Sequence, residues 1–165
     1  MREIVNRESR TVNCRSTFEG LEVYRRAREF RKAMYRIARQ LPEIEKFGLA
    51  GQIRRAAVSL TNNIAEGHGR FHFLDQIKFM LQARGSLEEL VDDLNACEGE
   101  QYLSADAVES LKAQGWRVRQ LIDGYIRYLR AQKSSNESSA KEESPEYGED
   151  AEVETIHESR FNESR

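Results

Sequence analysis

Between positions 18 and 133 apolar side chains return every three or four residues. That is the period of a helix with one buried face. The first such stretch, 18–41, places Val23, Ala27, Phe30, Met34, Ile37 and Leu41 on one seam and stops at Pro42, which cannot continue a helix. Ser16 and Glu19 have capping-box spacing at its start. The second stretch, 48–66, carries Leu49, Ile53, Ala56, Leu60 and Ile64 on its seam. Ala57, Val58, Thr61 and Ala65 lie around its side and back. Gly67 and Gly69 are expected to end it. A helix apolar over that much of its girth needs neighbours on more than one side. Ala57, Val58, Thr61 and Ala65 are therefore the candidate oligomer interface.

A third helix is predicted over 74–97 (Met80, Ala83, Leu87, Leu90, Leu94, Cys97). A fourth is predicted over 104–133 (Val108, Leu111, Gly115, Val118, Ile122, Tyr125, Leu129). Alternating β-branched runs and Asn-Gly hairpins are absent. Four helices with short joints predict an all-α fold, an up-down antiparallel four-helix bundle assembling as a homo-oligomer.

Composition changes this picture at the two ends. Residues 1–17 are charged, lack the apolar stretch of a secretory signal, and read as a flexible segment. Residues 134–165 are rich in Ser, Glu and Asn, with ten acids against three bases, whereas 1–133 hold 23 bases against 18 acids. A segment with so little apolar surface cannot offset its ordering entropy. It is expected to be a disordered acidic tail behind a mildly basic bundle. The triplet Glu-Ser-Arg begins at Glu8, Glu158 and Glu163, a recurrence with no physical account. No run approaches the ~20 apolar residues that span a bilayer. Cys14 and Cys97 are far apart without metal-type spacing, which suits a reducing, cytoplasmic location.

Candidate chemistry is concentrated in the first two helices. At about 100° per residue from Val23, the first helix's seam spans roughly 40° either side of zero. Arg25, Arg28, Lys32, Arg36 and Arg39 fall between about 140° and 220°, with Glu29 beside them. A cationic stripe of this kind suits a phosphate backbone, and equally a plain solvated face. Arg54 and Arg55 offer guanidinium forks for phosphate. The favoured reading for them is structural salt bridging to Glu66 or Glu88, because an unpaired charge near an apolar side is costly. Glu88, Glu89, Asp92 and Asp93 form two i,i+4 carboxylate pairs but lack a matching acidic set on another helix. His68 and His72 have ligand spacing only if helical. No metal, cofactor or catalytic residue is expected.

Residues 52–67, QIRRAAVSLTNNIAEG, follow FEGLEVY at 18–24 and precede GSLEEL at 85–90. In this order the three motifs resemble the four-helix-bundle proteins encoded in intervening sequences of 23S ribosomal RNA genes, over about 18–129. There are departures: Thr61 stands where the family usually has proline, Tyr24 where it usually has tryptophan, and Gly20 where a capping aspartate is common. The resemblance implies a homopentamer. It also implies kinship with the accessory variability proteins of diversity-generating retroelements, basic-surfaced pentamers that bind nucleic acid and a reverse transcriptase.

The resulting expectation is a non-enzymatic, oligomeric protein that binds nucleic acid, RNA ahead of DNA, or a ribonucleoprotein, reverse-transcriptase or ribosomal partner. The alternatives are a protein-interaction scaffold and a metal-dependent hydrolase using the helix carboxylates.

Overall fold

The computed structural model describes residues 17–142. Four α-helices, α1 (Glu22–Gln40), α2 (Leu49–His68), α3 (Phe73–Gly99) and α4 (Ala105–Glu142), account for nearly all of them. Two short 3-10 turns at Phe18–Gly20 and Glu43–Glu45 supply the rest of the regular structure. There is no strand among the described residues.

Each helix packs on its chain neighbours, and α1 closes on α4. Cross-helix partners run in opposite order: Arg84 of α3 reaches Asp123 of α4, whereas Glu88, one turn further on, reaches Arg119, one turn earlier. α3 and α4 are therefore antiparallel, as are α2 and α3, where Ser59 bonds Ser86 while Gly67, further along, abuts Phe79, earlier in α3; this is the arrangement of an up-down bundle. The core is a single cluster in which Phe30, Met34, Ile53, Leu60, Met80, Leu87, Leu94 and Ile122 are at most 1% exposed.

Local sequence sets the ends. Leu41 is extended (φ −65°, ψ 150°), as a residue before proline must be, and α1 stops there. The first helix does not begin at 18: Leu21 is also extended (φ −69°, ψ 130°), so a 3-10 turn precedes an α1 that starts at Glu22. Ser16, the proposed cap, lies outside the described residues. At the α1–α2 joint the Leu49 N–H donates to Glu45 Oε2 (3.0 Å), and the Tyr102 hydroxyl donates to Glu45 Oε1 (3.2 Å). One carboxylate thus ties both loops at this end of the bundle. In the α3–α4 joint Gln101 takes the left-handed conformation (φ 59°).

The fourth helix continues to Glu142 instead of stopping at 133. Extending an established helix needs no new nucleus, so a Ser-rich stretch of modest propensity still propagates it. The rest of the acidic segment, from 143, lies outside the described residues.

α2 differs from expectation twice. Gly67 does not end it: the helix runs on to His68, and the Gly69 N–H closes on Ala65 and Glu66 carbonyls (3.3 and 3.1 Å). Gly67 is instead a contact glycine, because a Cβ there would lie 2.9 Å from Phe79 Cβ and 3.0 Å from Met80 Cε. The second difference concerns the candidate oligomer interface. Ala57 and Thr61 are 0% and 1% exposed within the single chain, so they are not available to a partner. The wide apolar girth of α2 is covered by α1 on one side and α3 on the other. Only Val58 and Ala65 remain half-exposed. Thr61, in the place of the family's proline, accepts from Arg31 Nη1 (2.9 Å) and donates to the Val58 carbonyl (3.1 Å), so α2 is continuous there.

Two glycines of this bundle should respond with opposite signs. Gly67→Ala forces Phe79 and Met80 to shift and should cost about 1–3 kcal/mol, as overpacking does. Gly85 is helical and exposed with nothing within 4 Å of a new Cβ, so Gly85→Ala should gain roughly 0.5–1 kcal/mol. Urea denaturation of the two variants checks both. A neutral Gly67→Ala would mean that the α2–α3 approach is looser than described.

Candidate nucleic-acid interface

The outward face of α1 is where the helical wheel puts it: Arg25, Arg28, Lys32, Arg36 and Arg39 are all exposed. Its charge is less uniform than the sequence suggests. Glu22 accepts from Arg25 (2.6 Å) and from Arg26 (2.8 Å). Glu29 accepts from Lys32 (3.0 Å) and lies 3.7 Å from Arg28. These bonds hold both carboxyls below their ordinary values, Glu22 chiefly through Arg25 and Glu29 chiefly through Lys32. The first half of the stripe is thus largely compensated. Arg36 and Arg39 have no ion-pair partner among the described residues.

α2 brings a second set of cations to the same place. Arg54 is half-buried and donates from Nη2 to the Lys46 carbonyl (2.6 Å). Arg55 is exposed, and its positive charge acts on the Asp93 carboxyl. Neither makes the expected bridge to Glu66 or Glu88. Those carboxylates are taken by Arg70 and Arg119, the latter at 2.5 Å, because one lies a helical turn from Arg70 and the other faces α4.

Between α1 and α2 lie two adjoining open depressions of about 500 and 580 Å³. Arg31, Lys32, Arg36 and Arg39 rim the first; Arg54, Arg55, Ser59, Asn62 and Asn63 rim the second. Tyr35 and Val58 belong to both. Sequence reasoning treated each helix separately, and so missed Arg31, Tyr35, Asn62 and Asn63. On the α1 wheel Arg31 and Tyr35 sit at roughly 80° and 120°, the flank of the stripe that turns toward α2. That angle was the available signal. Val58, assigned to an oligomer interface, lines both depressions.

The remaining sequence candidates do not converge. His68 ends α2, and His72 precedes α3 with its ring edge-on to Phe71 at 5.2 Å. Glu88 is bound by Arg119, Glu89 and Asp92 are exposed, and Asp93 points inward. No group of three His, Cys, Asp or Glu among the described residues is placed to hold a metal ion. Burial first, then Asp93 and Glu45, push the Cys97 thiol up to about 11, the mark of an inert core cysteine. No helix among the described residues is long and apolar enough to cross a membrane.

Fold and groove together define a helical-bundle protein with one strongly basic inter-helix face. The family described as 23S rRNA-intervening sequence protein matches residues 19–124, and the chain belongs to that family. A comparison with curated proteins found no match.

Asp93 supplies a pH prediction. It is 5% exposed, and its Oδ2 has no hydrogen-bond partner among the described residues. Burial first, then Glu89 and Asp92, raise its carboxyl from 3.8 to about 6, against the pull of Arg55. The native chain therefore holds this proton to higher pH than the unfolded chain. Below about pH 4 the group is neutral in both states and costs nothing. As pH rises from about 4 to about 6 the unfolded chain gives up this proton first, and the native state loses up to ~3 kcal/mol of stability, fully lost above about 6. Asp93→Asn should thus gain stability relative to the wild type from pH 4 to 7, read by urea titration across that range. A flat difference would mean that the carboxylate is not desolvated.

Proposed function

We propose that this protein is a non-enzymatic nucleic-acid-binding protein, with RNA its ligand ahead of DNA, and that the α1–α2 groove is the binding face. The observation that carries the reading is the gathering of Arg31, Lys32, Arg36, Arg39, Arg54 and Arg55 around two adjoining depressions, with Arg36 and Arg39 outside any ion pair among the described residues. Cations concentrated on one side of a fold attract a phosphate backbone and release its counterions. A scaffold docking an acidic protein would use the same charge. The salt response separates the two, because a condensed counterion layer belongs to nucleic acid.

Charge reversal at Arg36 and Arg39 together should weaken binding of a labelled structured RNA at least tenfold at low salt. It should also flatten the log–log salt slope by about 1.4–1.8, from roughly 0.7–0.9 per lost phosphate contact. Arg25→Glu should do less, since Glu22 already occupies Arg25. Both variants should stay cooperatively folded, the double variant melting slightly below the wild type because Arg39 sits in the last turn of α1. Wild-type-like RNA affinity in the folded double variant would remove the groove from the binding face and leave the scaffold reading.

We propose homo-oligomeric assembly as well, a pentamer being what the family resemblance implies. With Ala57 and Thr61 buried internally, the apolar residues left for a partner lie elsewhere. Phe71, Leu74 and Leu81 are 92%, 60% and 39% exposed along the start of α3, and Leu74 and Leu81 stand two turns apart on one side. Burying such a stripe against a second copy is the ordinary use of a surface apolar patch. The double variant Leu74→Glu, Leu81→Glu should run as a helical monomer in multi-angle light scattering while the wild type runs as an oligomer. A monomeric wild type at micromolar concentration overturns the assembly reading.

A further inference from the structure

We propose that the α1–α2 groove takes an unpaired nucleotide of single-stranded RNA, its base laid on Tyr35 and its edge met by Asn62, and is not a seat for a duplex backbone. The proposal rests on the nucleic-acid reading above and names the class of nucleic acid.

A face that only counts phosphates needs cations and nothing else. Here the cations ring a concave surface whose centre is apolar and aromatic: Tyr35 and Val58 are common to both depressions. Phosphate has no use for such a floor. A base extruded from a single strand does, because its π-faces are apolar and its edge is polar. Each depression, at about 500 and 580 Å³, is open and large enough to admit one base, being within the ~300–1,000 Å³ of small-ligand sites. In a regular duplex the bases are stacked and cannot enter.

The polar groups around the floor divide into held and free. The Ser59 and Ser86 hydroxyls bond each other (2.8 Å), and Asn63 Nδ2 donates to the Ser59 carbonyl (2.9 Å). Arg31 is fixed by Thr61 and Arg54 by the Lys46 carbonyl. These bonds set the shape of the site before anything enters it. Asn62 is exposed and makes no side-chain hydrogen bond among the described residues. Its amide offers a donor and an acceptor side by side, the pattern that pairs with a base edge. Arg36 and Arg39 on one rim and Arg55 on the other then stand where the phosphates on either side of the extruded base would pass.

The test compares the full-length chain's affinity for a labelled single-stranded RNA and for a blunt RNA duplex of equal length at one ionic strength. The duplex has the higher charge density, so a face that reads phosphate alone binds it at least as tightly. The proposal requires the single strand to bind more tightly, by about fivefold or more. Tyr35→Leu, which keeps an apolar side chain on the core, should then lower single-strand affinity roughly 5- to 150-fold and leave duplex affinity unchanged. Tyr35→Phe should restore it. Asn62→Ala should level the differences in affinity among homopolymers. Equal or tighter duplex binding overturns the proposal and leaves the nucleic-acid reading standing. Absence of binding to either RNA overturns both. The wild-type comparison decides the matter even should Tyr35→Leu fail to fold.

Discussion

The structure depends on how closely α2 is held between two neighbours. Its residues against α1 and α3 are small or branched, with Ala50, Ala56, Ala57 and Gly67 among those buried, so the backbones can approach on both sides. Gly67 marks the limit of that approach, with no space for even one methyl group against α3. Interiors packed to this density transmit any added volume to their surroundings. The same closeness brings Tyr35 and Arg31 of α1 against Val58 and Thr61 of α2, and the groove exists because these two helices meet there.

Charge is sorted by the same packing. On the α3–α4 side the guanidinium of Arg119 meets Glu88 and Asp123, and Arg84 also meets Asp123. Cations and anions there cancel locally. On the α1–α2 side only the first half of α1 has carboxylates at pairing distance, namely Glu22 and Glu29. Beyond Lys32 the acids of α1 stop, and the cations of two helices rim two adjoining depressions. A chain of nearly balanced total charge, 26 bases against 28 acids, thus presents a local positive field that its net charge conceals.

Four helices, their seams and their antiparallel order were legible because the 3.6-residue period is a property of each segment alone. Val23, Phe30, Met34, Leu60, Leu87 and Ile122 all lie in the core as read. Pro42 was legible for the same reason, since it acts on its immediate neighbour. What failed were inferences needing a second helix. Gly67 looks like a stop until Phe79 is seen beside it. Ala57 and Thr61 look like spare apolar surface until α1 and α3 cover them. Arg54 looks like a salt-bridge partner until the Lys46 carbonyl is found within reach. The groove is the clearest case. Each of its rims was visible as a row of residues on one helix, but Tyr35, the residue shared by both depressions, has no sequence signature beyond its angle on the wheel.

A plain electrostatic account of the cations can be carried some distance. The C-terminal end of a helix favours positive charge by about 0.3–1 kcal/mol, which covers Arg39 and in part Arg36. It does not cover Lys32 and Arg36, like charges four residues apart that destabilise a helix by about 0.2–0.5 kcal/mol. Nor does it cover α2, where Arg54 and Arg55 lie far from the C-terminal turn in which that preference acts. Arg54 is compensated by a carbonyl, and Arg55 by the field of a buried Asp93. That compensation makes the pair tolerable without giving folding a reason to place it there. Folding alone would be served by the interleaving seen at Glu22 and Glu29. Cations from two helices thus gather around two adjoining depressions that share Tyr35, with no full account of them in the stability of the helices that bear them.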